Sequence, residues 1–290
     1  MKAENKKTKK TTENKQPNDM KTVVITGSAQ GFGLELAREF VMNNCNVVLS
    51  DINETLLFSS VEFLQQLNKP SSIKGVVCDV TLEDNLKNLW NTAKKKFGNV
   101  DIWINNAGVN QPDKPVYELT KSDIEFLLDV DLKGTILGSK IAFEGMKEQG
   151  FGQIYNVEGY GSNDAMMTGL TVYGTAKRAV TYFTEALAKE SKELTDGKVQ
   201  VCKITPGIMI TSFITNANGG KTKIELPEKT KKVYNILGDY PQTIAKYVVP
   251  KVLSNTKNNA KIVWLTKAKA MGRFMTAGFN KRDFFKYYES

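Results

Sequence analysis

The stretch TVVITGSAQGFG, residues 22–33, decides the fold of this 290-residue chain. A β-branched run ends at Thr26, a glycine-rich turn follows, and apolar residues then recur at helical spacing from Leu34 to Val41. A strand, a glycine turn and a helix in this order suit a phosphate-binding loop, because the glycines let the backbone approach and the helix start presents free N–H groups. The alternative is an ordinary tight turn. We expect this loop to bind a nucleotide through Gly27, Ser28, Gln30, Gly31, Phe32 and Gly33.

The next predicted strand, residues 46–50, ends in Asp51, about twenty residues after the last glycine. A carboxylate at this place accepts hydrogen bonds from both ribose hydroxyls and repels a 2′-phosphate. Gln30 and Ile52, where a basic residue would receive such a phosphate, are uncharged. The sequence therefore favours NAD(H) as the cofactor without excluding NADP(H). The alternative role of Asp51 is that of a helix cap.

Strands and helices alternate along the rest of the chain. Helices are predicted at about 53–68, 82–97, 121–148 and 241–254, and strands at 73–78, 100–104, 153–157, 199–204 and 261–265. This alternation predicts a single α/β domain with a parallel sheet wound on both faces, and with ligands at the carboxyl ends of its strands. Asp79 with Val80, the run from Asn106 to Gly108, and Pro206 with Gly207 all follow such strand ends.

Tyr173 and Lys177 are four residues apart and share one face of a predicted helix. A cation at this distance stabilises a phenolate, so the pair can form a proton donor. The spacing alone also arises by chance, usually as a half-buried aromatic residue with a lysine neighbour. The strand-end motifs around the pair favour the catalytic interpretation.

The composition excludes several classes of site. The chain has no histidine, and Cys45, Cys78 and Cys202 lack metal-ligand spacing, so neither a zinc site nor a histidine base is expected. The cysteines lie in apolar runs and are predicted to be buried thiols, which suits a cytoplasmic location. No apolar run approaches the length of a membrane span. We expect a small-molecule substrate and no nucleic acid.

The charge is concentrated at the two ends of the chain, with residues 221–290 carrying 15 basic against 5 acidic side chains. The composition of residues 1–20 predicts a disordered tail, and residues 21–265 are predicted to form the folded domain. Within this domain, the polar stretch at about 212–240 is predicted to be a lid over the site or a surface insertion. Within the basic, aromatic extension 266–290, four apolar residues recur at helical spacing: Met271, Phe274, Met275 and Phe279. This stripe predicts docking on the domain itself. The alternatives are contact with an anionic membrane surface and a pocket for a hydrophobic anion.

Five motifs in this order make the chain resemble the short-chain dehydrogenase/reductase family. They are the glycine-rich turn, Asp79, the Asn-Asn-Ala-Gly run at 105–108, Tyr173 with Lys177, and the Pro206-Gly207 turn. The resemblance implies a Rossmann-type sheet of about seven strands, a nicotinamide cofactor, and a homodimer or homotetramer. It also implies that Tyr173 is the acid/base and that Lys177 binds ribose and lowers the tyrosine pKa. Three further groups of residues are implied to bind the cofactor. The first is Asp79 with Val80, the second is Asn106 with Ala107 and Gly108, and the third is Pro206 with Gly207 and Thr211.

Two positions depart from the family pattern. Gly159 stands where the family places a catalytic serine, with Ser162 as the nearest hydroxyl, and Asp131 stands where the family has a helix asparagine. The Gly-x-Gly-Ser run at 159–162 is similar to the chlorophyll b reductase branch, whose plant members use NADPH and keep the asparagine. We expect an NAD(P)(H)-dependent oxidoreductase that interconverts a carbonyl and an alcohol on a bulky apolar substrate, with Ser162 polarising the carbonyl. The alternatives are a nucleotide-binding protein that has lost catalysis and a peripheral membrane protein.

Overall fold

The computed structural model describes residues 20–67, 69–112, 114–209, 228–279 and 282–285. Its centre is a sheet of seven parallel strands in the order β3-β2-β1-β4-β5-β6-β7. The strands are β1 Thr22–Thr26, β2 Asn46–Asp51, β3 Ile73–Val77, β4 Ile102–Asn105, β5 Gly152–Val157, β6 Val199–Thr205 and β7 Lys261–Val263. The predicted parallel sheet and single-domain α/β fold are confirmed.

Helices connect the strands and cover the sheet. They are α1 Gly31–Met42, α2 Glu54–Gln65, α3 Glu83–Phe97, α4 Lys121–Leu128, α5 Gly134–Gln149, α6 Thr171–Thr195, α7 Glu228–Leu237, α8 Pro241–Ser254 and α9 Lys267–Thr276. The five inner strands, β1, β2, β4, β5 and β6, have side chains that are buried on both faces of the sheet. The two edge strands, β3 and β7, are partly exposed. All carboxyl ends lie on one edge, and the strand order reverses between β1 and β4, which is where ligands bind in such sheets.

Two large apolar clusters, one on each face of the sheet, form most of the core among the described residues. Leu36, Phe40 and Ile244 belong to the first, and Leu86 and Trp103 to the second. Each of these side chains is fully buried. The three cysteines, Cys45, Cys78 and Cys202, are free and buried, as the sequence predicts. Within the described ranges, none of the helices is both long enough and apolar enough to cross a bilayer.

The long helix predicted at 121–148 is present and spans residues 121–149, but it contains a π-helical turn. Helix α4 ends at Leu128, a π-helical turn follows at Asp129–Lys133, and α5 continues from Gly134. A π-turn adds one residue to the helical repeat and rotates the side chains within it, which is a common feature of functional sites. Here it directs Asp131 into the protein, where its side chain is fully buried.

Three sequence-level expectations fall wholly or largely outside the described residues. These are the tail at 1–20, Thr211, and the first part of the predicted lid at about 212–240. The described part of that lid contains helix α7 and the residues that lead to α8. The predicted strand at 261–265 is shorter than expected and ends at Val263, since Thr266 already caps helix α9.

Candidate active site

The glycine-rich turn is packed directly against the loop that follows β4. A Cβ atom on Gly27 would lie 2.6 Å from the Cα of Ala107, and one on Gly33 would lie 2.3 Å from the carbonyl oxygen of Gly27. Gly27 and Gly31 also have positive φ angles of 60° and 58°, which favour glycine. The sequence therefore needs glycine at these positions to bring the turn, the start of α1 and the β4 loop together.

Several residues that were predicted to bind the cofactor form contacts within the protein that hold this turn in place. The Ser28 hydroxyl is fully buried and donates to Ile25 O at 2.8 Å, and Phe32 lies in the core. The Asn106 side-chain amide donates to Thr26 O and Gly27 O at 3.0 and 2.8 Å. The turn is thus held in place before any ligand binds.

The acidic residues after β2 and β3 lie at the edge where the adenosine half of a dinucleotide would bind. Asp51 accepts hydrogen bonds from the Ala29 amide at 3.2 Å and from the Asn53 amide at 3.0 Å, so its carboxylate joins the end of β2 to the glycine turn. Asp79 accepts from the Thr81 amide at 2.8 Å. The first turn of α1 carries no acidic residue, so nothing there opposes an anion at the helix start. These features fit a dinucleotide.

Tyr173 lies in the first turn of α6, against the end of β5. A Cβ atom on Gly159 would come within 2.2 Å of the Tyr173 hydroxyl oxygen, so the phenol occupies the space that a side chain at position 159 would need. The Lys177 ammonium lies 5.5 Å from the centre of the Tyr173 ring. Both side chains are buried. The structure therefore brings the predicted phenol–ammonium pair together at a strand end.

Asp131 forms a buried ion pair with Lys177, with 2.8 Å between Oδ2 and Nζ. Its other carboxylate oxygen accepts a hydrogen bond from the Val109 amide at 2.7 Å. Burial raises the pKa of Asp131, and the Lys177 charge opposes this effect. Burial acts to lower the pKa of Lys177, but the Asp131 carboxylate and the Tyr173 phenol outweigh it and the pKa is raised. Lys177 is thus held as a cation whose charge is largely neutralised.

The pKa of Tyr173 is raised to about 12, chiefly because the phenol is buried. The Lys177 ammonium opposes this shift, and the Asp131 carboxylate adds to it. The phenol is therefore protonated at neutral pH. In this state it donates a proton more readily than it accepts one.

Ser162 is buried near the same strand end. Its hydroxyl donates to Gly159 O at 2.5 Å, and its carbonyl accepts from Arg178 at 3.2 Å. A hydroxyl has one proton to donate. Ser162 must therefore release Gly159 before it can donate to a substrate oxygen, while it can accept a hydrogen bond as it stands.

Gln111, which the sequence reasoning missed, caps the catalytic helix. The residue before α6, Leu170, supplies no side-chain cap. Instead the buried Gln111 Oε1 accepts hydrogen bonds from the amides of Val172 at 2.9 Å and Tyr173 at 3.1 Å. A residue about sixty positions upstream thus fixes the backbone of the predicted acid. No local pattern around Tyr173 could have indicated it.

Glu158, also missed, joins three elements at the same edge of the sheet. Its fully buried carboxylate accepts from Thr181 of α6 at 2.8 Å and from Thr205 of β6 at 2.6 Å. Lys261 of β7 forms an ion pair with it at 2.8 Å. The same Thr181 proton is shared, as the longer branch of a bifurcated hydrogen bond, with Lys177 O at 3.2 Å. Glu158 therefore fixes α6 one turn beyond Lys177. A signal for it is the carboxylate directly after an apolar strand.

The turn after β6 is connected to the C-terminal part of the chain. Pro206 is buried, Gly207 has a positive φ of 78°, and Met209 forms an isolated parallel bridge with Asp239. The Asp239 carboxylate then accepts from Trp264 Nε1 at 2.6 Å. The predicted partner of this turn, Thr211, lies outside the described residues. The structure thus places Pro206 and Gly207 at the same edge as Tyr173.

A shallow, open cleft with a mixed polar and apolar lining lies beside the start of α6. Its volume is about 430 Å³, within the range of ligand sites. The segment before α4 contributes Val116 and Tyr117, the loop before α6 contributes Met166 and Met167, and α6 itself contributes Thr171. Methionine side chains adapt readily to flat or irregular ligands. The cleft therefore suits part of a large ligand at the start of α6, where Thr171 lines it.

The chain is similar to known proteins in both sequence and structure. Residues 21–221 match the family model described as short chain dehydrogenase. The chain is 28% identical over 281 residues to a probable chlorophyll(ide) b reductase, NYC1, of Arabidopsis thaliana, which covers 91% of this chain and 54% of that protein. It is 30% identical over 260 residues to the chlorophyll(ide) b reductase NOL of Oryza sativa subsp. japonica, covering 88% and 74%.

Among solved structures, levodione reductase superposes with a TM-score of 0.75 and 24% identity, covering 86% of this chain and 98% of the other. At this identity the likeness concerns the fold alone. The chain spans about half the length of the Arabidopsis relative.

Proposed function

Because the chain belongs to the short chain dehydrogenase family, we propose that it is an NAD(P)(H)-dependent oxidoreductase that reduces an aldehyde or ketone to an alcohol on a bulky apolar substrate. One observation carries this proposal. The Tyr173 phenol lies at the strand end beside Lys177, buried and protonated, and an open cleft lies beside the start of the same helix, where Thr171 lines it.

The residues of the chain divide the work between proton transfer and positioning. When bound, the nicotinamide would supply the hydride. Tyr173 donates its proton to the substrate oxygen, where negative charge would otherwise develop. Lys177 stabilises the resulting phenolate, and Asp131 holds the lysine in place. Ser162 stabilises the same oxygen if its hydroxyl turns away from Gly159.

The raised pKa of Tyr173 predicts how the oxidative direction depends on pH. A phenol with a pKa of about 12 is almost wholly protonated at neutral pH, so abstraction of a proton from an alcohol would need alkaline conditions that form the phenolate. The dimensions of the cleft and its methionines support a flat or bulky carbonyl compound, of the kind that the chlorophyll(ide) b reductases in the comparison act on by name.

We also propose NAD(H) as the preferred cofactor. The Asp51 carboxylate lies at the glycine turn, where it would accept hydrogen bonds from ribose and repel a 2′-phosphate. Titration of NADH and NADPH by fluorescence tests this preference. The Asp51→Ala variant should bind NADH less tightly. The difference between its affinities for NADH and NADPH should therefore be smaller than in the unmodified protein. Tighter binding of NADPH by the unmodified protein would contradict the assignment.

The activity is tested by screening aromatic aldehydes and ketones for oxidation of the cofactor that binds. Tyr173→Phe removes only the hydroxyl and should lower turnover by about a hundredfold or more. Tyr182→Phe is a matched control, because this tyrosine is on the same helix but 76% exposed, and it should be unchanged. Full turnover by Tyr173→Phe would refute the proposal.

A second function is a nucleotide-binding protein without catalysis. Gly159 supplies no hydroxyl at the strand end, and the Ser162 hydroxyl is used within the protein, which favours this alternative. It predicts cofactor binding with no turnover of any carbonyl compound. A Ser162→Ala variant with undiminished turnover would instead show catalysis without a serine.

A further inference from the structure

Helix α9 presents an apolar face to solvent. Met271, Phe274 and Met275 are 65%, 50% and 77% exposed, and Phe279, in the turn that follows, is 96% exposed. At 100° per residue these side chains lie on one side of the helix, and Lys267 lies on the same side. We call these five residues the α9 outer face. It overturns the expectation that the apolar stripe docks on the domain.

The opposite side of α9 is what docks on the domain. Arg273 donates to Leu237 O at 2.9 Å and forms an ion pair with Asp239 at 2.6 Å. The Lys269 ammonium lies over the ring of Trp264. Arg282, after the helix, contacts Asp239 at 3.1 Å. The orientation of α9 is therefore fixed by polar contacts, and its apolar side faces outward as a consequence.

The surroundings of this face are cationic. Helix α9 contains three basic residues and no acidic one. Asp239 carries a single negative charge against the two guanidinium groups of Arg273 and Arg282, so that cluster keeps a net positive charge. Within the described ranges, Lys267 takes part in no salt bridge. The C-terminal quarter of the chain has 15 basic against 5 acidic residues.

The position of α9 relates it to the substrate cleft. The helix follows β7 directly, so it begins at the carboxyl edge of the parallel sheet. The cleft beside α6 opens at that same edge, because its loops follow β4 and β5. A surface bound by α9 would therefore lie on the side of the molecule from which a substrate enters.

We propose that the α9 outer face binds an anionic lipid surface, with the helix lying in the plane of the interface. An amphipathic helix with methionine and phenylalanine on one side and cations around it has the chemistry that such surfaces bind. Anionic headgroups complement Lys267 and the net positive cluster behind it. A second copy of the same face is a poorer occupant, because a two-fold contact would oppose positive charge to positive charge.

The proposal is tested with the full chain and phospholipid vesicles, by co-sedimentation. Vesicles of phosphatidylcholine with phosphatidylglycerol should bind the protein, and vesicles of phosphatidylcholine alone should bind it much more weakly. The triple variant Met271→Ser, Phe274→Ser, Met275→Ser should lower binding by about a hundredfold. The charge reversal Lys267→Glu should lower it by about tenfold or more, and raised salt should weaken binding by the unmodified protein.

A matched control is available on helix α2. Leu56, Phe58 and Phe63 are also exposed, at 41%, 42% and 45%, and their triple replacement by serine should leave vesicle binding unchanged. Equal loss in both triple variants, or binding that is indifferent to lipid charge, would overturn the proposal. A further pair of results would also overturn the proposal: the α9 variant changes its oligomeric state, measured by light scattering, and the unmodified protein does not bind vesicles. Reduction of a water-soluble aldehyde should be the same in all these variants, which separates this test from that of the catalytic proposal.

Discussion

Replacing Asp131 by asparagine should lower the pKa of Tyr173 and shift the pH dependence of the reaction. The carboxylate lies 2.8 Å from the Lys177 ammonium, and it is one of the causes that raise the phenol pKa to about 12. Asparagine keeps the shape and still accepts the Val109 hydrogen bond, but it carries no charge. The lysine then acts on the phenolate with its whole charge.

The magnitude follows from the distances. Because the ammonium lies 5.5 Å from the phenol ring centre and 2.8 Å from Asp131, the carboxylate is no more than about 8 Å from the ring. At an effective dielectric constant of about 20, one charge at that distance contributes about 2 kcal/mol, or about 1.5 pKa units. The pKa of Tyr173 should therefore fall from about 12 to between 10 and 11.

Two measurements check this shift. The rate of alcohol oxidation should rise with pH until Tyr173 ionises, and the midpoint of this rise should move to lower pH in Asp131→Asn. Titration of tyrosine labelled with ¹³C at Cζ, with the Tyr173 signal assigned from Tyr173→Phe, gives the pKa without any substrate. Asp129→Asn is the matched control, because this aspartate lies in the same π-turn and pairs with Lys133 at the surface.

An unchanged pKa in Asp131→Asn would refute the reasoning, since it would mean that the carboxylate does not act on the phenol through Lys177. An equal shift in Asp129→Asn would also refute it. That result would point to a general change in the field of the protein rather than to the buried pair.

Three further outcomes are expected. Glu158→Gln should lower the free energy of unfolding by about 1–2 kcal/mol in urea titrations, because Lys261 loses its partner at a half-exposed site. Gln111→Ala should lower the melting temperature and turnover together, since two helix amides lose their acceptor, and Gln111→Glu should restore both. Burial raises the pKa of Cys45 and Cys78 to about 11, so these thiols ionise at lower pH in the unfolded chain than in the folded protein. The free energy of unfolding should therefore fall between pH 9 and 11, by about 1 kcal/mol for each thiol at pH 10. Denaturant titrations measure this change.

The sequence predicts those parts of the fold that local patterns determine. The strand before Gly27 and the glycine turn could be read directly, because apolar periodicity and glycine positions act over a few residues. The π-turn at Asp129–Lys133 could not, since its residues have ordinary helical character and only packing against α6 decides their rotation. Gln111 and Glu158 were missed for a related reason: their partners lie far away in the sequence.

Helix α9 shows a different limit of sequence reasoning. The spacing of Met271, Phe274 and Met275 shows which side chains share a face, but it does not show which face the domain binds. An apolar stripe usually turns inward. Here the buried charge of Asp239 attracts Arg273 and Arg282, and these contacts decide the orientation. A buried acid distant in sequence thus outweighs the local amphipathic pattern.

The two departures from the family pattern are physically connected. A serine at position 159 would require the Tyr173 hydroxyl to move, because its Cβ would come within 2.2 Å of that oxygen. With glycine there, the phenol reaches the strand end itself and becomes buried, which raises its pKa. Asp131 acts in the same direction, because it neutralises the lysine that would otherwise favour the phenolate. Both replacements keep Tyr173 protonated, so together they make the phenolate that would remove a proton from an alcohol scarce at neutral pH.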